Sequence, residues 1–142
     1  AMARKVIAAC DGGVRGKTVA LLGLTFKPNT DDMRDSPAIS IVTALQDAGA
    51  KLNAFDPQGM EQARLYLENL TYCSDAYACC EGASALVIVT EWDAFRALDL
   101  ERVKRLLAAP VLVDLRNIYD PAEVSRQGFT YVSIGRQGGD EA

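Results

Sequence analysis

Short apolar runs alternate with helix-like segments from residue 17 to the end of the chain, and no other feature constrains the fold as strongly. Thr18-Val-Ala-Leu-Leu-Gly23, Ala85-Leu-Val-Ile-Val89 and Val111-Leu-Val-Asp114 lack the in-and-out pattern of a half-exposed strand, so they read as strands covered on both faces. Lys51–Phe55, Leu70–Cys73 and Thr130–Ile134 supply further strands. Helices are expected at Pro37–Ala48, from Asp56-Pro57 to about Glu68, at Asp75–Glu81, Asp99–Ala108 and Pro121–Gln127. Ser36 before Pro37 forms an N-cap and first-turn pair, and Gly49 ends that helix. Ala3–Cys10 reads as an earlier helix closed by Asp11-Gly12-Gly13, and Glu91–Phe95 as a loop. Six strands separated by helices predict a doubly wound, Rossmann-like α/β domain, about six parallel strands with helices on both faces.

Charge and composition narrow the function. With 15 Lys+Arg against 19 Asp+Glu the net charge is −4, which gives no basic surface for nucleic acid or an anionic membrane. No apolar run reaches the roughly 20 residues of a membrane span, and no signal-peptide pattern opens the chain, so a cytoplasmic location is expected. The sequence has no His, which removes Ser-His-Asp and Cys-His nucleophile systems and His-ligated zinc. Cys10, Cys73, Cys79 and Cys80 show no C-x-x-C spacing and read as small buried hydrophobes in a reducing compartment. A chain that starts inside a helix reads as a piece of a larger protein.

In a doubly wound sheet, ligands sit outside the carboxyl ends of the strands where strand order reverses, which directs attention to the loops after strands one, four and five. The first of these, Gly23-Leu-Thr-Phe-Lys27, carries one glycine where a dinucleotide turn needs three. Asp56 stands where a ribose-binding acid would sit, but capping the helix that begins at Pro57 accounts better for it. The loop Phe26–Pro37 gathers Lys27, Asp31, Asp32, Arg34 and Asp35 at the ligand edge. Arg116, after strand five, should face the same edge as Lys27, and together they could hold a phosphate, diphosphate or carboxylate. A surface loop whose charges satisfy one another is the plainer alternative. Trp92 could stack on a base or pack over the sheet edge. A phosphoryl-accepting receiver domain would need an acceptor Asp after strand three and a Lys after strand five, where this chain has Cys73-Ser74 and Arg116.

The segment Gly16–Ala38 resembles the start of the C-terminal domain in the UDP-glucose/GDP-mannose dehydrogenase family. The likeness continues through Ala54-Phe-Asp-Pro57, Leu86–Phe95, Val113–Pro121 and Tyr131–Gly135, and so covers nearly the whole chain. The wording Asp114-Leu-Arg-Asn-Ile-Tyr-Asp120 is closer to members acting on UDP-glucose than to those acting on GDP-mannose or UDP-N-acetylmannosamine. The resemblance implies a homodimeric enzyme with an N-terminal NAD-binding domain, a long central helix and this UDP-binding domain, oxidising UDP-glucose to UDP-glucuronate with NAD. It implies substrate contacts from Phe26, Lys27 and Arg116, and a contact from Arg34 to NAD held by the N-terminal domain. The family's catalytic cysteine lies in a Cys-x-Pro-Lys-Asp segment absent here, so no catalytic residue or metal ligand is expected in this chain and the fragment alone should be inactive. Residues 1–15 then read as the end of the helical linker, 16–136 as the UDP-sugar-binding domain and 137–142 as a tail. A stand-alone nucleotide-binding regulatory domain is the alternative.

Overall fold

A computed structural model describes residues 2–134. Six strands form one all-parallel sheet: β1 (Thr18–Leu22), β2 (Lys51–Phe55), β3 (Leu70–Tyr72), β4 (Ala85–Ile88), β5 (Val111–Asp114) and β6 (Thr130–Ser133). Their order is β3-β2-β1-β4-β5-β6. The sheet is therefore the expected doubly wound α/β type, and its reversal point lies between β1 and β4.

Because successive strand residues point to opposite faces, each strand feeds two cores. Val19, Leu21, Val87 and Val113 face a layer that includes α1 (Met2–Ala9) and α2 (Pro37–Asp47). Ala20, Leu22, Leu86, Ile88 and Leu112 face α4 (Ala76–Cys80), α6 (Leu100–Leu106) and α7 (Pro121–Arg126). Leu21, Leu22, Leu86 and Ile88 are fully buried, and each such side chain contributes about 1.5–3 kcal/mol. This two-sided burial is why the central strands read as unbroken apolar runs. Val6 of α1 and Val14 after it belong to the first core, so α1 lies against the sheet. The tail expected at 137–142 lies outside the described residues.

Ser36 starts α2 and also ties it to the ligand edge. Its hydroxyl accepts from Ala38 N at 3.1 Å and donates to the Leu24 carbonyl at 2.7 Å. The Asp75, Asp99 and Asp120 carboxylates likewise accept from backbone N–H groups at the starts of α4, α6 and α7.

Two expectations need correction. The helix expected from Pro57 to about Glu68 shrinks to α3, Met60–Ala63. Residues 57–59 are a turn held by the Asp56 carboxylate, and after Ala63 the chain tightens, with Leu65 N bonding to Gln62 O and Tyr66 N to Ala63 O. Leu65 and Tyr66 face solvent, so beyond Ala63 only Leu67 docks in the core and little burial supports a longer helix. The loop expected at Glu91–Phe95 contains instead a single helical turn, α5 (Asp93–Arg96), anchored by buried Phe95.

Candidate functional site

At the carboxyl edge the turn after β1 is closed by its neighbours. Gly23 has φ +96°, and a Cβ there would lie 2.5 Å from the Thr90 nitrogen. A Cβ on Gly59 would collide with Thr25 Cγ2. Between these close approaches sits Asp56, fully buried. Its Oδ2 accepts from Leu24 N at 2.7 Å, Thr25 N at 3.2 Å and Trp92 Nε1 at 3.3 Å. Oδ1 accepts from Gln58 N at 2.9 Å and Gly59 N at 2.7 Å. Asp56 does not cap a helix beginning at Pro57, since α3 starts only at Met60; its first oxygen holds the turn before that helix, and its second clamps the loops after β1 and β4. Both oxygens are taken by protein donors, and the turn carries the glycine spacing of no dinucleotide cradle; the domain does not fit NAD at the usual Rossmann position. Trp92 is buried and packs in the second core, so the packing reading holds over base stacking.

The loops after β4 and β5 meet in an ion pair at the edge. Asp114, fully buried at the end of β5, accepts from Arg116 N at 3.1 Å through Oδ1. Through Oδ2 it accepts from Ile118 N at 2.8 Å, Tyr119 N at 3.1 Å and the Tyr131 hydroxyl at 2.7 Å. Asn117, at φ +57°, exchanges hydrogen bonds with the backbone of Ile134, tying this loop to the end of β6. The Arg116 guanidinium meets Glu91 in a bidentate pair, with Nε–Oε1 and Nη2–Oε2 both 3.0 Å. Burial raises the Glu91 carboxyl, but the hydrogen bonds and charge of Arg116 outweigh it and hold the group below its usual value. Sequence reading missed Glu91, because an acid after the strand beside β5 becomes a signal only once the strand order is known.

The loop from β1 to α2 folds back on itself. Phe26 N bonds to Asp32 O at 2.9 Å, while the Phe26 side chain stays 45% exposed. Lys27 is exposed, on the same carboxyl edge as Arg116 but on the other side of β4. Arg34 is paired with Asp32: Nε–Oδ1 and Nη2–Oδ2 are both 3.0 Å, and Asp32 Oδ1 also accepts from Arg34 N at 2.9 Å. These bonds lower the Asp32 carboxyl to about 2. The pair borders a shallow groove with Gln62 and Tyr66, on the α3 side of the edge. The three cations Lys27, Arg34 and Arg116 therefore do not converge on one point. Lys27 remains available, Arg116 is braced by Glu91, and Arg34 is satisfied within its own loop.

The four cysteines are free thiols. Cys10, Cys79 and Cys80 are buried, and burial raises the Cys80 thiol to about 12 and the Cys79 thiol further still. Such thiols are poor nucleophiles. Among the described residues no cluster of His, Cys, Asp or Glu could hold a metal ion, and no helix is long and apolar enough to cross a membrane.

Residues 20–121 match the UDP-glucose/GDP-mannose dehydrogenase family, UDP binding domain. The chain is 60% identical over 136 residues to UDP-glucose 6-dehydrogenase of Rhizobium meliloti (strain 1021), covering 96% of this chain and 31% of the relative. It therefore spans about a third of the length of the curated relatives it matches. Among solved structures, the NDP-N-acetyl-D-galactosaminuronic acid dehydrogenase from Methanosarcina mazei Go1 superposes with a TM-score of 0.85 at 27% identity, over 99% of this chain and 30% of that one. A UDP-glucose dehydrogenase from Pyrobaculum islandicum gives a TM-score of 0.74 at 32% identity, over 92% of this chain and 28% of that one.

Proposed function

This chain belongs to the UDP-glucose/GDP-mannose dehydrogenase family, as a UDP binding domain, and we propose that it serves a full-length UDP-glucose 6-dehydrogenase. That protein converts the C6 alcohol of UDP-glucose to the carboxylate of UDP-glucuronate. The oxidation removes four electrons, so two hydride transfers to NAD are needed. The chemistry falls to a cysteine and a dinucleotide domain outside this chain, because three of the four thiols here are buried, partial burial raises the fourth, Cys73, as well, and Asp56 is occupied by protein donors. The isolated chain reduces no NAD.

Within this domain, Lys27 and Arg116 hold the anionic part of the UDP-sugar and Phe26 lies against it. The observation that carries this reading is the placement of both cations on the carboxyl edge, one to each side of β4. Arg34 contacts NAD across the cleft; its 79% side-chain exposure supports that role. Residues 16–136 form the UDP-sugar domain and 1–15 the end of a central helical linker, with the full-length protein a homodimer in the cytoplasm. Free thiols fit a reducing compartment.

Steady-state NADH production by the full-length protein tests the substrate. The highest kcat/KM is expected with UDP-glucose, against GDP-mannose and UDP-N-acetylmannosamine. Preferred turnover of either alternative would overturn the assignment.

A further inference from the structure

We propose that Glu91 is a positioning residue of the UDP-sugar site, holding one edge of the Arg116 guanidinium so that the opposite edge faces the ligand's anion. The inference rests on the reading of Arg116 as a ligand contact. It deepens that reading by naming what aims the side chain.

Glu91 follows β4 and Arg116 follows β5, and these strands are neighbours in the sheet, so the pair bridges two adjacent loops at the ligand edge. Both side chains are about one-third exposed, at 29% and 31%, so the pair lies at the mouth of the site and is neither deeply buried nor freely solvated. A guanidinium carries five N–H donors in a rigid planar fork. Glu91 takes the Nε–H and one Nη2–H, both at 3.0 Å. The Nη1 group and the second Nη2–H form the opposite edge, and among the described residues Nη1 has no protein partner. That remaining edge is itself a two-donor fork, the geometry that matches a phosphate or carboxylate.

The backbone beneath Arg116 is fixed separately, by the Asp114 carboxylate on Arg116 N and by the Asn117–Ile134 bonds. Only the long side chain would be loose without Glu91, and ordering it at binding would cost affinity. The carboxylate also places a negative charge near an anionic ligand, which opposes binding. Positioning and repulsion thus predict opposite signs when Glu91 is removed, and the proposal is that positioning wins.

The test is a double-mutant cycle in the full-length enzyme, with UDP affinity read by calorimetry and UDP-glucose kinetics read beside it. Arg116→Ala should weaken UDP binding about thirtyfold or more and Glu91→Ala about five- to tenfold, and the double variant should bind no more weakly than Arg116→Ala alone. In Glu91→Ala, KM for UDP-glucose should rise with kcat little changed, the signature of lost ground-state binding. Glu91→Gln, which keeps one acceptor oxygen, should fall between wild type and Glu91→Ala, and it supplies the same cycle if the alanine variant does not fold. The positioning role is overturned by unchanged or tighter UDP binding in the Glu91 variants while Arg116→Ala weakens it. It is equally overturned by a Glu91 effect of the same size in the Arg116→Ala background, the result of a purely structural role. Unchanged UDP binding in Arg116→Ala would instead remove the reading of Arg116 as a ligand contact, and the inference with it.

Discussion

Asp56, at the end of β2, accepts a hydrogen bond from the Trp92 indole N–H, 3.3 Å away, across the end of β1. One carboxylate thereby joins the loops that follow β2, β1 and β4. In a nucleotide-binding Rossmann domain an acid at this strand end faces a ribose; here it faces inward and its lone pairs are used by the protein. The fold is retained while the dinucleotide position becomes a structural clamp.

Asp56→Asn should destabilise the protein by about 2–4 kcal/mol. The amide keeps one acceptor oxygen but turns an NH₂ group toward N–H donors, leaving buried groups unpaired. Urea unfolding followed by tryptophan fluorescence measures this, and Trp92, the only tryptophan, reports from the clamp itself. A midpoint equal to wild type would show that the clamp adds nothing to stability.

Gly23→Ala should be more damaging, by about 3 kcal/mol or more, because the new Cβ combines an unfavourable positive φ with a clash that neither strand can relieve. The neighbour at 2.5 Å is the Thr90 backbone, in a buried segment. Loss of soluble, cooperatively unfolding protein is the expected outcome. A normal thermal transition would mean that the β1 and β4 ends separate readily.

Much of this architecture was legible in the residues, for reasons that differ by element. Lys51–Phe55 and Val111–Asp114 match the observed strands end for end because β-forming runs stop abruptly at Asp56-Pro57 and at Leu115-Arg116. Pro37–Ala48 was legible because Ser36, Pro37 and Gly49 punctuate it. The stretch after Pro57 was misleading: Leu65 and Tyr66 carry the apolar signal of a buried face but point outward, and periodicity does not reveal direction. Glu91 stayed hidden for a different reason. Its partner lies 25 residues on, and the pair becomes visible only when β4 and β5 are known to be neighbours. Arg34 has the reverse problem, since the local pairing that satisfies it was one of two readings that spacing alone left open.

Arg116→Lys in the full-length enzyme should lower kcat/KM for UDP-glucose by about 2–4 kcal/mol of transition-state stabilisation. A lysine could still reach Glu91, but its compact ammonium cannot bond Glu91 along one edge and offer a second fork along the other. Steady-state kinetics with saturating NAD checks this. Wild-type kcat and KM would return Arg116 to a purely structural role.

The last prediction separates Lys27 from Arg34, which share one loop but differ in what holds them. Lys27 has an exposed side chain, so Lys27→Ala should weaken UDP binding measured without cofactor. Arg34 sits past Asp32 and is paired to it, so Arg34→Ala should leave UDP binding near wild type and raise KM for NAD. If Arg34 served only to order the loop, calorimetry would find UDP affinity falling in both variants alike. The pairing gives its own signature in a titration. The Arg34 hydrogen bonds lower Asp32 from 3.8 to about 2, so the interaction is fully present above the ordinary carboxylate value and is lost as pH falls through about 2. An NMR titration of the Asp32 carboxyl carbon should show the low midpoint in wild type and a return toward 3.8 in Arg34→Ala. Adding NAD to the full-length protein should raise the Asp32 midpoint if Arg34 turns from the carboxylate to the cofactor as the two domains close. An Asp32 midpoint indifferent to NAD would mean that Arg34 stays with its loop partner and that the cofactor contact comes from elsewhere.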